Sequence, residues 1–306
     1  PLDRGSYGQA EMDEAYVEWN NFLGGLGNIV EYTSLDDAAS NVTASFRSIA
    51  GAETTSVGFG LPPRGKFDLL AHALNGFISN SYGLIHSRFT GKVDGGMLYY
   101  KRPLNWGGDP NDFAFVVMLE FTKGLAGIID APYNTFHPSY LKSGLLAANW
   151  AQITNVGAVT TGGYLKVYNL DGVEICSRRL VLNPAQRRDT SLHRRMLDDP
   201  PNTCDGLGPN QYGIARWFPD RNDVRFVFRV VRYLYNNDGS VNDFDSAFQL
   251  TSRIPSTEPL TTSLDTRAGS AIVEVTNGAS TTNNISVAIR AASGALLRTI
   301  PLVLAP

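Results

Sequence analysis

The stretch Asn28-Ile-Val-Glu-Tyr-Thr33 returns 121 residues later as Asn149-Trp-Ala-Gln-Ile-Thr154, and that return decides the fold. The same spacing carries Leu61-Pro62-Pro63 onto Leu182-Asn183-Pro184, Asp68 onto Asp189, and His72 onto His193. It then widens to 130, joining Tyr82-Gly83 to Tyr212-Gly213 and Arg102 to Arg232, and to 131 for Asp112-Phe113 and Asp243-Phe244. A third copy opens at Ile272-Val-Glu-Val-Thr276-Asn277, 122 residues beyond Trp150-Ala-Gln-Ile-Thr154-Asn155, and runs to Pro306. Collinear matches of this kind are the mark of tandem units. The expected organisation is an N-terminal segment over 1–27, whole copies over 28–145 and 146–267, and a partial copy over 268–306.

Inside a copy the pattern has period two, as half-buried strands require. Tyr164, Lys166 and Tyr168 alternate with Leu165, Val167 and Asn169, Asp171-Gly172 supplies a hairpin turn, and Val173 to Leu182 reads as the returning strand. The third copy repeats the scheme with Ile285, Val287 and Ile289, a turn at Ser293-Gly294, and a strand from Leu296 to Leu304. Val224 to Tyr235 is a further alternating run. Short strands punctuated by Gly, Asn, Asp and Pro predict an all-β fold of tandem β-sandwiches. Helical spacing shows only where Ala15, Trp19, Phe22 and Leu23 share a face, which predicts a short helix within 12–23. The tandem arrangement resembles the immunoglobulin-like repeats of bacterial surface proteins. That resemblance is architectural, and it implies Ig-like sandwiches with a structural role.

Composition narrows the role. Of 306 residues 43% are hydrophobic, enough for a folded core, while only 18% are charged against a usual share of about 25%. A net charge of −3 offers no positive field for nucleic acid, and no apolar run is long enough to span a bilayer. The two cysteines lie apart from any metal-ligand spacing. Cys204 falls in a nine-residue insertion that only the second copy has, and Cys176 lies in the strand before it. A Cys176–Cys204 disulfide would tie that insertion down, by roughly 3–4 kcal/mol on loop-closure grounds. It also predicts an oxidising, extracellular or cell-surface location, bacterial on the resemblance above.

Few residues suggest chemistry. Gly60-Leu-Pro-Pro-Arg-Gly65-Lys66 approaches a phosphate loop, but Phe67 stands where a magnesium-binding hydroxyl is needed, so a strand-to-strand turn is expected. The duplicated pairs Asp68/His72 and Asp189/His193 are the most enzyme-like feature, since a carboxylate can orient an imidazole. Duplication favours a framework contact over two catalytic sites, and no enzyme activity is expected. Asp238, Asp243 and Asp245 form an oxygen-rich loop that is a weak calcium candidate and is also ordinary turn chemistry. Arg187-Arg188 and Arg194-Arg195 form a basic patch suited to an anionic glycan or phosphate, though solvated strand ends account for most of it. Asn41-Val-Thr43 and Asn284-Ile-Ser286 are glycosylation sequons.

Two roles follow. The first is a non-catalytic extracellular repeat protein, a filament or stalk subunit or adhesin segment, self-associating head-to-tail. A partial third copy leaves unpaired strand edges that invite another chain. Tyr7-Gly8 echoes Tyr82-Gly83 and Tyr212-Gly213 and marks the N-terminal segment as a candidate donated strand. The alternative is a carbohydrate- or ligand-binding module of a secreted enzyme, with Trp106, Trp217 and Tyr233 as a sugar platform.

Overall fold

The computed structural model describes residues 13–21, 26–74, 81–101, 115–135, 147–192, 211–235, 244–250, 273 and 275–304. Nearly everything described is strand, and the tandem all-β architecture expected from the alternation is what the chain forms. The first sandwich comprises β1 (Glu14–Asn20), β2 (Leu26–Ser34), β3 (Ser40–Ser48), β4 (Glu53–Leu61), β5 (Lys66–Leu70), β6 (Tyr82–Phe89), β7 (Val93–Lys101) and β8 (Phe115–Glu120). The second comprises β9 (Leu125–Ala126), β10 (Ile129–Asn134), β11 (Ala147–Asn155), β12 (Thr161–Asn169), β13 (Glu174–Leu182), β14 (Arg187–Ser191), β15 (Tyr212–Pro219), β16 (Arg225–Tyr235) and β17 (Phe244–Leu250). The third copy contributes a hairpin, β18 (Asn283–Arg290) and β19 (Leu296–Leu304).

Both sandwiches use one antiparallel order. The first pairs β1-β6-β3-β4 in one sheet and β5-β2-β7-β8 in the other; the second pairs β10-β15-β12-β13 and β14-β11-β16-β17. In a constant-type immunoglobulin sandwich the last strand lies beside the sixth. Here β1 and β10 hold that place, and β7 and β16 cross to the opposite sheet beside β2 and β11.

The helix expected within 12–23 is instead strand β1. Ala15, Val17 and Trp19 enter the first core, and the Trp19 indole N–H donates to the Arg47 carbonyl at 3.0 Å. Tyr16, Glu18 and Asn20, on the opposite face, are buried as well. A strand covered on both faces loses the inside–outside contrast that announces period two. What remained visible was the spacing of Ala15 and Trp19, which also fits a helix. Phe22 and Leu23 lie outside the described residues. Residues 129–134 precede the boundary read at 146, yet as β10 they pair with β15 of the second sandwich.

Shared side-chain brackets explain why the copies align. Asn28 Oδ1 accepts from Asn20 N at 2.9 Å, and its amide donates to the carbonyls of Asn20 and Leu26. Asn149 repeats this with Asn134 and Ala147. Asn155 donates to the carbonyls of Val159 and Leu182 and accepts from Gly157 N; Asn277 does the same with Thr281, Leu304 and Ala279. Strand bulges fall at Phe46/Arg47, Val167/Tyr168 and Ile289/Arg290, equivalent points in the three copies. Each conserved-in-place turn is closed in one way, by Gly51 N to Ser48 O, Gly172 N to Asn169 O and Gly294 N to Ala291 O.

The sandwiches are not beads on a string. In the sheet β14-β11-β16-β17 the central strands β11 and β16 are buried on both faces. Ala151, Ile153, Phe228 and Val230 face the second core, whereas Ala148, Val231 and Tyr233 belong to the first. That sheet covers the flank of the first sandwich where edge strands β1 and β8 stand. There, Tyr16 N donates to Thr122 O at 2.7 Å and closes the gap.

Candidate functional site

The most unusual chemistry among the described residues lies at this joint. β14 is an edge strand, and period two sets Arg187 and Asp189 on the same face, which is turned toward the first sandwich. Arg187 is fully buried. Its Nε and Nη2 reach the two Asp189 oxygens at 2.7 and 2.8 Å, a bidentate fork. Its Nη1 crosses the joint to the carbonyls of Trp19 (3.1 Å) and Gly83 (3.0 Å), and its guanidinium lies 4.8 Å from the centre of the Tyr82 ring. The backbone follows, with Arg187 N donating to Ile49 O at 3.0 Å. The opposite face of β1 supplies Glu18, also fully buried, with Arg229 Nε 2.9 Å from Oε2 but off the line of a hydrogen bond. Arg229 Nη2 donates to the Glu120 carbonyl.

Two guanidiniums and two carboxylates thus lie buried at the joint, and their formal charges cancel. Burial opposes the charge on Arg187, but Asp189 alongside outweighs it and holds the guanidinium above its ordinary range. Burial likewise pushes the Asp189 carboxyl up, against the pull of Arg187. The two short parallel bonds decide for the ionised pair. Burial raises the phenols of Tyr99 and Tyr233 beside it, so both stay neutral. At the edge of the joint Tyr16 stacks on His86 with ring centres 4.6 Å apart, and Tyr16, Leu84 and Val227 form a small apolar seal. Burial lowers His86 despite Glu14 at 2.9 Å, and raises Tyr16 to about 12. Backbones also meet closely. Gly51 has φ +89°, and a Cβ there would lie 2.4 Å from the Pro184 carbonyl, so only glycine lets the turn seat.

The residues singled out from sequence separate accordingly. Asp68 and His72 are not bonded to each other. Asp68 lies 3.3 Å from Lys66 on an exposed edge, and His72 Nδ1 meets the backbone of Asn28 (2.9 Å to O, 3.2 Å to N) from a 3-10 turn beyond β5. Asp189 is in the joint, and His193 lies outside the described residues. The equivalent pairs are therefore Lys66/Asp68, exposed, and Arg187/Asp189, buried. Arg187 is no part of a solvated patch; Arg188 is exposed, and Arg194 and Arg195 lie outside the described residues. The loop resembling a phosphate site is a tight turn, with Gly65 N bonded to Pro62 O and Arg64 at φ 51°. Ala185, its counterpart, has φ 58°.

Cys176 packs against the second core and has no free thiol, while Cys204 lies outside the described residues. So do Asp238, Asp243, Tyr7, Gly8 and Trp106; of Asp245 only the strand backbone, in β17, is described. Trp217 is fully buried and Tyr233 nearly so, which takes two of the three rings from the supposed sugar platform. Among the described residues no cluster of His, Cys, Asp and Glu is arranged to hold a metal, and no helix is long and apolar enough to cross a membrane. Glu18 and Arg229 were missed. Nothing local marks them, since each sits in an ordinary alternating strand.

No family model and no curated protein matches the chain. Among solved structures a calcium-binding mutant of Bacteroides uniformis beta-glucuronidase 2 is matched at 10% identity with a TM-score of 0.15. The match covers 78% of this chain and 25% of that one. A likeness that loose carries no argument about fold or chemistry.

Proposed function

We propose that this chain is a non-catalytic structural repeat protein of an extracellular or bacterial cell-surface assembly, a filament or stalk subunit or adhesin segment. The observation that carries the reading is the buried ionic joint. Arg187 and Asp189, a buried bidentate pair, lock one sandwich onto the next. A joint with a shared sheet transmits load without hinging, which a load-bearing array needs and an isolated binding module does not. A Cys176–Cys204 disulfide belongs to the same reading. The carbohydrate-module alternative is weakened by the burial of Trp217 and Tyr233.

Negative-stain microscopy and sedimentation of the purified chain test the role. Concentration-dependent elongated oligomers support it, and a compact monomer at every concentration overturns it. Intact mass after alkylation without reductant tests the location, because two labelled cysteines would contradict an oxidising compartment.

A further inference from the structure

The second sandwich and the third copy also meet, and they meet at positions that the first joint uses. Register fixes the correspondence. Asn20 opposes Tyr82 at the end of β1, and Asn134 opposes Tyr212 at the end of β10, each asparagine held by an equivalent bracket. At the same distance before these asparagines, Tyr16 opposes His86 and Asp130 opposes Arg216. Across each joint, the bracketing residues Asn155 and Asn277 align the residues that follow them, Val156 and Gly278. Asn277 also ties its turn to the hairpin, through the Leu304 carbonyl.

The two seats carry different chemistry. In the first, Tyr16 stacks on His86 and joins Leu84 and Val227 in an apolar seal, and Val156 packs against that seal. In the second, Arg216 Nε and Nη2 reach the two Asp130 oxygens at 2.5 and 2.8 Å, and the same Nη2 donates to Gly278 O at 2.8 Å. Both side chains are largely buried, Asp130 at 11% exposed and Arg216 at 17%. An apolar seat thus meets an apolar turn, and an ionic seat meets a bare carbonyl. A guanidinium forked onto one carboxylate still has N–H groups to give, and a carbonyl accepts one without adding charge. Gly278 has no side chain to screen its oxygen. Pro132 stands where β1 has Glu18, so the next outward position of β10 brings no second carboxylate to compete for Arg216.

We propose that each seat and the turn above it form a matched pair that fixes how one unit stacks on the next, with Asp130 and Arg216 holding the third copy through the Gly278 carbonyl. At these positions the first joint is held by packing and the second by a charge-assisted hydrogen bond. The inference concerns the stacking of units within one chain and does not depend on the assembly role proposed above.

Amide residual dipolar couplings on the full chain test it, because they report the alignment of β12 and β15 separately from that of β18 and β19. In the unmodified chain both sets should fit one alignment tensor. Arg216→Met should lower the hairpin's degree of alignment relative to the sandwich about twofold or more. Arg179→Met, on the same sheet face but paired with the half-exposed Asp220, should leave it unchanged. Asp130→Tyr with Arg216→His rebuilds the first seat beneath Gly278 and should loosen the hairpin as much; adding Gly278→Val should restore its alignment. Emission from Trp217, the buried neighbour of Arg216, checks the second core in each variant. Should Arg216→Met disturb that core, Arg216→Lys, which keeps the charge and loses the fork, is read in the same way. Unchanged alignment on losing the fork, or an equal loss in Arg179→Met, overturns the role of the seat. Full alignment of the rebuilt seat beneath Gly278, or no recovery on adding Gly278→Val, overturns the matching.

Discussion

Replacing Arg187 with Met tests the joint most directly. The variant removes a guanidinium with no solvent exposure and keeps the aliphatic stem volume. It strands Asp189, whose side chain is only 10% exposed, and takes a second donor from the Trp19 and Gly83 carbonyls, which keep their ladder partners. Breaking a buried pair from one side costs about 3–5 kcal/mol, because an uncompensated charge stays behind. The expected loss is therefore about 3–5 kcal/mol, a large part of the stability of an ordinary domain. Urea unfolding followed by tryptophan fluorescence reads it, since Trp19 and Trp217 report the two cores. The matched control is Lys66→Met at the equivalent, half-exposed site, expected to cost less than about 1 kcal/mol. Arg187→Met combined with Asp189→Leu should recover much of the loss, giving a coupling of about 2 kcal/mol or more in the double-mutant cycle. If Arg187→Met costs no more than Lys66→Met, the joint is not held by this pair and the reasoning fails.

Other consequences are smaller and separately measurable. Tyr16 has a folded pKa of about 12 against 10 unfolded, so its contribution is full below pH 10 and is lost as pH rises toward 12. Up to about 3 kcal/mol is at stake, and Tyr16→Phe should flatten that part of the stability–pH curve. His86 is shifted below 6.5, so the chain should lose stability as pH falls beneath that value, and His86→Leu should abolish the slope. Gly51→Ala meets both a positive φ and the Pro184 carbonyl, whereas Gly294→Ala meets the φ alone. Thermal melts should show Gly51→Ala the worse by about 1–3 kcal/mol. Asn28→Ala deletes three buried hydrogen bonds and should cost about 2–4 kcal/mol by denaturant titration.

Much of the fold was legible because the copies repeat chemistry that the backbone needs. Asn28 and Asn149 bracket the same two strand ends, and the proline turns at Pro63 and Pro184 precede residues that both take positive φ. Alternation also placed β13 and β19 within a residue, and marked the inner parts of β12 and β18. The joint was not legible, for a physical reason. Arg187 beside Arg188 reads as a solvated strand end, and its burial is imposed by a different sandwich, more than a hundred positions away in sequence. β1 was misread through the same cause. A sequence window records what a residue is, and the second face of a strand is set by whatever docks there.

The doubly covered sheet has a consequence for synthesis. The flank of the first sandwich, with Trp19, Val17, Leu119 and Phe121 beneath it, is capped by Ala148, Val231 and Tyr233. Those capping residues emerge from the ribosome later, and the last of them more than a hundred codons after Phe121. At about 5–20 residues per second the nascent first sandwich waits on the order of ten seconds with that flank open. During that interval Glu18, buried beside Arg229 in the finished fold, has no Arg229 to meet it.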